Sequence, residues 1–241
     1  MPIDQLESLA LSYLWPFLRI SALLMVAPIF GAGTVSVRIR VVLAALLSAL
    51  MAPMLPVNAS IEFFSAPGIL MALREIVIGL AMGFVMQMIF GAVVLAGQSI
   101  ATGMGLGFAM AVDPQNGVQV PIVSQIKVVI ATLLFLAIDG HLMLLSAVFQ
   151  SFALVPLTDP GFAVTGFENV VSLGSQLFAS ALLLGLPTLT AVLMINVAFG
   201  VITRASPQLN IFAVGFPVTI VVGLVFLFLG MPAFIAAMQR F

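Results

Sequence analysis

Cysteine is absent from the 241 residues of this sequence, and histidine occurs once, at position 141. Without cysteine, disulfide frameworks, cysteine nucleophiles and cysteine-based metal sites are excluded. A single histidine cannot build a metal site unaided. The sequence also lacks HExxH, GxSxG and phosphate-binding loop motifs. It therefore gives no argument for an enzyme, and it predicts neither a cofactor nor a metal.

Charged residues are also scarce in this sequence. Only 6% of the residues are charged and 63% are hydrophobic, and the mean hydropathy is +1.33. This leaves too little polar surface to cover a water-soluble globule. The 7 basic and 8 acidic residues nearly cancel, so no basic field exists to hold a nucleic acid. The composition predicts an all-α membrane protein.

The few charges divide the chain into hydrophobic segments, because a charge near the bilayer centre costs about 2.5 to 3.5 kcal/mol on insertion scales. The amino-terminal residues 1–7 are acidic where a signal peptide needs a positive start, so the first helix is expected to be retained. At about 20 residues per span, the sequence predicts about six hydrophobic helices or helical hairpins. They are placed near 9–30, 41–56, 70–96, 128–157, 174–200 and 211–238.

The distribution of charges between the predicted loops also predicts an orientation. With the amino terminus outside, the cytoplasmic loops hold Arg38, Arg40, Lys127 and Arg204 against one acid, Asp113. This asymmetry fits the positive-inside rule.

Several features fit a plain six-span bundle poorly. The 128–157 segment is too long for one ordinary span and carries Asp139, Gly140 and His141 near its middle, which is typical of a tight turn between two short helices. Asp139 and His141 are also the one close pair that would suit an intramembrane proton relay, although a structural turn is favoured. Arg19 places a charge in the first apolar run. Four prolines also lie in apolar runs: Pro16, Pro28, Pro187 and Pro217. Lipid tolerates such breaks where neighbouring protein satisfies the freed backbone groups, which favours burial among protein partners.

The segment 97–127 is apolar in composition but is broken by glycine and proline, so it cannot be a regular span throughout. Its Asp113-Pro114 pair favours a turn, and Phe108 and Met110 supply apolar bulk. Two interpretations stay open: a mobile loop that seals a protein-lined cavity, or an ordinary connector. The glycines of this segment do not form a nucleotide-binding loop, because the required strand and acidic residue are missing.

Two smaller motifs concern helix packing and junctions. Gly79 and Gly83 form a GxxxG pair, which is weak evidence for a close helix contact. Arg204 lies in a short polar junction with Pro207, Gln208 and Asn210. Such a donor-rich corner suits either a clamp on a partner's carbonyl or carboxylate groups or a cytoplasmic topology anchor.

Three stretches resemble the FliR family of flagellar type III secretion export gates, which is also similar to the corresponding SctT-like subunit of injectisomes. They are FLRISALLMVAPIFGAGTVSVRIRVVLA at 17–44, GLGFAMAVDPQNGVQVP at 105–121 and RASPQLNIFAVGFP at 204–217. The third stretch is the most specific. One departure is Ser36, where the family is expected to favour a proline.

The resemblance implies a single export-gate domain over residues 1–241. It implies a membrane component of the flagellar protein export apparatus, located in the bacterial inner membrane at the flagellar basal body. It implies one copy per complex in a helical assembly with FliP-like, FliQ-like and FlhB-like subunits, through which unfolded flagellar polypeptides pass. The family's loop corresponding to 105–121 acts as a pore plug, which implies a gating role for Gly103, Gly105, Gly107, Phe108, Met110, Asp113 and Pro114. Assembly or interface roles are expected for Arg19, Arg38, Arg40, Arg204, Pro207, Gln208 and Asn210.

Two competing functions belong to other classes. A small-molecule or ion transporter with broken helices binds its substrate near the membrane midplane, but it predicts two internally similar halves, and the sequence shows no convincing repeat. An intramembrane enzyme would have to use Asp139 and His141.

Overall fold

The computed structural model describes residues 3–55, 63–107, 121–157, 165–206 and 211–239. Within these ranges all regular structure is helical, and the predicted all-α class is confirmed. The helices are α1 Ile3–Val26, α2 Val37–Met51 with a short 3-10 helix Ala52–Met54 after it, α3 Ala66–Gly103, α4 Ile122–Ala137, α5 Gly140–Leu154, α6 Thr165–Ala205, α7 Ile211–Leu229 and α8 Met231–Met238.

Length and apolar composition make the described chain a multi-pass membrane protein. Three segments are long and apolar enough to cross a membrane: Val37–Met54, Ala66–Gly103 and Val171–Ala205. The number rises to five if α4 with α5, and α7 with α8, each count as one broken span. The first predicted span corresponds to α1, of which Ala10–Val26 is a shorter apolar helix.

The predicted turn in the middle of residues 128–157 is confirmed. α4 ends at Ala137 and α5 begins at Gly140, with Asp139 between them in the left-handed region at φ 57°. The Asp139 carbonyl accepts the backbone N–H groups of Leu142 at 2.8 Å and Met143 at 3.1 Å, while its exposed side chain makes no capping bond. The residue thus starts a helix through its backbone, as the structural interpretation of the Asp139 and His141 pair expects.

The four prolines differ in what they do. Pro16, Pro187 and Pro217 lie inside α1, α6 and α7, which continue through them. Pro28 lies two residues beyond the end of α1, in the turn that leads to α2.

The described chain forms two compact units. Unit 1 comprises residues 1–88 and 136–173, and unit 2 comprises residues 89–135 and 174–241. α3 and α6 contribute residues to both units. The assignment of residues 1–241 to one export-gate domain stays a prediction.

Unit 1 has an apolar core around Trp15, Leu23, Leu24, Val148 and Phe152. The predicted GxxxG contact is confirmed in this unit, since Gly79 and Gly83 of α3 pack against the backbone of α1. A Cβ atom on Gly79 would collide with the carbonyl oxygen of Arg19, and a Cβ on Gly83 would lie 3.0 Å from the carbonyl oxygen of Leu23. Small residues therefore let the two helices approach closely.

Unit 2 packs α3 against α4 through small residues of its own. A Cβ on Gly97 would lie 2.5 Å from the Cα of Ser124, and the Ser124 hydroxyl donates to the carbonyl of Val94 at 3.2 Å. Lys127, predicted as a loop charge, instead lies inside α4. It is buried, and its ammonium lies 4.2 Å from the centroid of the Phe234 ring, so an aromatic face stabilises the cation.

Candidate functional site

The carboxyl end of α3 is closed by a glycine in the left-handed conformation. Gly105 has φ +82°, and its N–H donates to the carbonyl of Thr102 at 3.0 Å, while the N–H of Leu106 donates to the carbonyl of Ala101 at 2.9 Å. These two bonds form a Schellman motif, in which the glycine terminates the helix and satisfies carbonyls that have no partner within it. The end of α3 is therefore a defined structure and not a frayed one.

A phenylalanine of α7 covers this glycine. A Cβ atom on residue 105 would lie 2.7 Å from Cε2 and 2.9 Å from Cδ2 of Phe216. Glycine is thus required here for two separate reasons, its backbone angle and the space above it.

An asparagine of α6 bonds to the same helix end. The Nδ2 atom of Asn196 donates to the carbonyl oxygen of Gly103 at 3.0 Å. Gly103 is the last residue of α3, and the last carbonyls of a helix lack partners within it. The side chain of one long helix therefore completes the hydrogen bonding at the end of another.

A groove of about 700 Å³ surrounds this helix end. It is lined by Thr102, Gly103, Met104, Gly105, Asn196, Phe199, Gly200, Gly215, Phe216 and Thr219. None of these lining residues titrates, so they offer hydroxyl, amide, backbone and aromatic contacts but no acid or base. The described lining therefore offers surfaces for non-covalent packing.

The structure brings the three predicted gating glycines together at this site. Gly103 and Gly105 line the groove, and Gly107 follows closely, with the atoms of Thr102 at 3.8 Å as the nearest neighbours of a Cβ placed there. The other predicted plug residues, Phe108, Met110, Asp113 and Pro114, lie outside the described residues. Their role stays a prediction.

Unit 1 contains a buried charge cluster around Arg19. Its Nε and Nη2 atoms donate to the two carboxylate oxygens of Glu75 at 2.7 and 3.0 Å. Its Nη1 donates to the Ser151 hydroxyl and its Nη2 to the Val155 carbonyl, both at 3.0 Å. The guanidinium also lies 4.0 Å from the centroid of the Phe152 ring.

This cluster joins three helices of unit 1. Arg19 comes from α1, Glu75 from α3 and Ser151 from α5, and the paired side chains are fully buried. A charge in an apolar span is tolerated when it is paired and hydrogen-bonded, and the bidentate geometry provides both. Arg19, expected as an interface residue, thus has partners inside its own chain, while its role in assembly stays a prediction.

The remaining predicted interface residues are placed differently. Arg40 donates through Nη2 to the carbonyls of Ala32 at 2.6 Å and Val35 at 2.9 Å, and so holds the turn before α2. Arg38 is exposed near the start of α2, and Arg204 is exposed in the last turn of α6. Pro207, Gln208 and Asn210 lie outside the described residues.

Sequence reasoning missed Glu75, Asn196 and Phe216 as parts of these sites. The signal for Glu75 was an acid close to the start of one apolar helix, α3, while Arg19 places a cation in another, α1. Charges inside apolar spans tend to pair with one another. The signal for Asn196 was an amide side chain in the apolar second half of α6, where polar groups form hydrogen bonds with neighbouring helices. Phe216 has no such signal in the sequence, since phenylalanine is common in apolar spans.

Together, the described helices and the groove define a multi-pass, helical membrane protein with a structured helix end beside a groove lined, among the described residues, by groups that do not titrate. The profile of the family described as bacterial export proteins, family 1, matches residues 10–241. The chain belongs to this family, and the resemblance drawn from three short stretches is confirmed.

The chain aligns with several relatives over most of their length. The chain is 38% identical over 220 residues to the flagellar biosynthetic protein FliR of Pectobacterium carotovorum subsp. carotovorum, covering 91% of this chain and 84% of the relative. It is 39% identical over 212 residues to FliR of Escherichia coli (strain K12), covering 88% and 81%. It is 30% identical over 219 residues to FliR of Bacillus subtilis (strain 168), covering 90% and 84%.

Proposed function

We propose that this chain is a membrane component of the flagellar type III export apparatus and forms part of the gate through which unfolded flagellar proteins pass. The observation that carries the proposal is the family match over residues 10–241, together with relatives named as flagellar biosynthetic proteins. The transporter alternative is not favoured by these comparisons.

The chain acts with other subunits of the apparatus, FliP-like, FliQ-like and FlhB-like proteins, as one copy per complex in the bacterial inner membrane. Support comes from its uncovered apolar surface. On α2 the side chains of Val42, Leu46 and Leu50 are exposed, and on α6 so are Leu193 and Val197. Apolar faces of this extent require lipid or protein to cover them.

The gating element is the loop that follows the closed end of α3. Its apolar residues Phe108 and Met110 seal the passage at rest, because flexible apolar side chains close a constriction by packing and dewetting. Asp113 and Pro114 fix the turn of the loop. The proposal is supported by the structured helix end at Gly105, from which the loop starts, and by the groove beside it.

The chain supplies a passage and a seal, and the proposal includes no covalent step. The described residues that line the groove offer hydroxyl, amide, backbone and aromatic groups. The energy for export comes from other components.

The seal is tested by replacing Phe108 and Met110 together with glycine in expressing cells. The expected result is ion leakage, seen as increased membrane conductance and sodium sensitivity. A matched control replaces Gln115 and Asn116 with glycine, which adds two glycines to the same stretch without removing apolar bulk. Unchanged conductance in the first variant would remove the plug from the proposal.

A further inference from the structure

We infer that Arg40 is a positioning residue: its guanidinium holds a strained turn between α1 and α2, and it supports assembly of the export complex through this turn. The inference rests on the proposed function, since it concerns how the chain presents α2 to partner subunits. It separates the role of Arg40 from that of Arg38, although both were expected as interface residues.

The first half of the turn contains a residue with a strained backbone. Ile29 has φ 74°, and the N–H of Phe30 donates to the carbonyl of Pro28 at 2.9 Å. A hydrogen bond across a single residue of positive φ defines the rare, strained form of the γ-turn. Positive φ is especially unfavourable for a β-branched residue. Ile29 therefore keeps this conformation only while the surrounding contacts stabilise it.

The backbone next to Ile29 packs tightly against the end of α1. A Cβ atom on Gly31 would lie 2.7 Å from the carbonyl oxygen of Met25 and 2.9 Å from that of Ala27. The N–H of Gly31 donates to the Ala27 carbonyl at 2.7 Å, and the side chain of Phe30 packs against the core of unit 1. These contacts hold the first half of the turn on α1.

Arg40 holds the second half of the turn from the side of α2. Its Nη2 atom donates to the carbonyls of Ala32 at 2.6 Å and Val35 at 2.9 Å. The N–H of Val35 also donates to the Ala32 carbonyl at 3.0 Å, so the guanidinium reinforces a turn that the backbone forms. A cation near the amino-terminal end of a helix opposes the helix dipole. The position of Arg40 therefore favours the turn and not the stability of α2 itself.

The turn also determines how α2 lies along α1. At the other end of the helix pair, the Ser48 hydroxyl donates to the Tyr13 carbonyl, so α2 returns antiparallel to α1. Between these two ends α2 buries Ala44 and exposes Val42 and Leu46. A clamp at the turn therefore fixes the direction of the apolar face that the proposed assembly covers.

Spin labelling at Gly33 tests the clamp. The chain has no native cysteine, and a Cβ on Gly33 would have no described neighbour within 4 Å, so Gly33→Cys provides a single labelling site in the turn. In the purified full chain, Arg40→Met is expected to narrow the spectrum of this nitroxide, because it removes the guanidinium and keeps an unbranched side chain. Arg40→Lys retains a charged donor and is expected to give an intermediate spectrum.

The matched control is Arg38→Met, which makes the same substitution at an exposed arginine two residues away. It is expected to leave the spectrum at residue 33 unchanged. An unchanged spectrum in Arg40→Met, or equal narrowing by Arg38→Met, would overturn the clamp.

Two substitutions that differ by one methyl group test the strain at residue 29. Ile29→Gly and Ile29→Ala both remove the isoleucine side chain, but only glycine adopts positive φ freely. Ile29→Gly is therefore expected to unfold at a higher temperature in detergent than Ile29→Ala. An equal or lower unfolding temperature for Ile29→Gly would contradict the strain.

The link to assembly is tested by combining these substitutions. Arg40→Met is expected to lower the yield of intact complex severalfold in the Ile29→Ala chain. The loss is expected to be smaller in the Ile29→Gly chain, because an unstrained turn needs less support. Equal losses in both chains would show that Arg40 acts directly on a partner, which would overturn the positioning role. A normal yield in Arg40→Met with a mobilised label would show that the clamp does not serve assembly.

Failure of this inference and failure of the proposed function are separable. If the tagged chain co-purifies with no export subunit, the proposed function is wrong, yet the spectra at residue 33 and the residue 29 variants still decide whether the turn is strained and clamped. If export subunits are recovered while Arg40→Met neither mobilises the label nor lowers the yield, the proposed function stands and the positioning role is wrong.

Discussion

Arg19 is accommodated within an apolar helix because Glu75 neutralises its charge. The Ser151 hydroxyl and the Val155 carbonyl accept hydrogen bonds from its guanidinium. The free-energy cost of burying such an ion pair comes mainly from desolvation. The pair is tolerated only when both charged partners are present. Removing one partner leaves an uncompensated buried charge, whereas removing both leaves an apolar contact.

A double-mutant cycle measures this difference. Arg19→Met and Glu75→Met, made singly, are each expected to cost about 3 to 5 kcal/mol of stability. The double variant is expected to recover much of that loss, because neither charge remains. The measurement is thermal unfolding of the purified chain or complex in detergent, together with the amount recovered from membranes.

The outcome that would contradict this account is additivity. If the double variant is less stable than the unsubstituted protein by the sum of the two single losses, the two side chains do not act as a pair.

Gly105 shows a second kind of constraint, imposed by backbone angle and by Phe216. Gly105→Ala is expected to destabilise the protein by about 1 to 2 kcal/mol through the left-handed angle alone, and further through the collision with the ring. Thermal unfolding in detergent measures the loss.

The matched control is Gly174→Ala in α6, where a Cβ would have no neighbour within 4 Å. Because alanine is favoured over glycine inside a helix by about 0.5 to 1 kcal/mol, this variant is expected to be neutral or slightly stabilised. Equal effects of the two substitutions would show that the special conformation at residue 105 has no energetic weight.

At the level of helices, the close crossing of α1 and α3 depends on Gly79. Gly79→Val would force the side chain into the Arg19 carbonyl and the Cβ of Ala22, so the crossing and the adjacent Arg19–Glu75 pair should be disturbed together. We expect a smaller protease-resistant fraction in membranes than for Gly174→Val, which introduces the same side chain into open space. Equal resistance of the two variants would show that the crossing tolerates separation.

The helices show which structural features a sequence can predict. The turn between α4 and α5 was predicted because Asp139 and Gly140 interrupt an apolar run locally. The sequence predicts the end of α3 near residue 96, whereas the helix continues to Gly103. Gly97 predicts a break, but α3 continues through it, and the missing side chain lets Ser124 of α4 pack closely.

The long-range contacts could not be predicted from local patterns. Arg19 and Glu75 are 56 positions apart, and Asn196 and Gly103 are 93 apart. Periodicity and turn signals operate over a few residues, so they identify a polar side chain in an apolar helix but not its partner. Gly105 could have been recognised as a helix-ending glycine from the pattern of a long apolar run followed by glycine.

For the whole molecule, composition predicts the membrane class, and three short stretches resemble the family that the profile match over residues 10–241 shows. Composition does not identify the lipid or protein that covers the exposed apolar side chains. Arg204 is exposed at the end of α6. Substitutions of Arg204 therefore give a simple test of assembly with partner subunits.

Arg204→Glu is expected to lower the yield of intact export complex, because it reverses the charge at a junction expected to meet a partner's carbonyl or carboxylate groups. Arg204→Lys retains the charge and serves as the control, with a smaller expected loss. The measurement is the amount of complex recovered relative to the total amount of this chain in membranes. A normal yield for Arg204→Glu would remove Arg204 from the interface.

The most direct test of the central claim is co-purification of the tagged chain, expressed from its native operon, followed by mass spectrometry of the intact complex. The account predicts FliP-like and FliQ-like membrane proteins in excess over a single copy of this chain. Recovery of the chain alone, or as a homodimer, would contradict its assignment to the export gate.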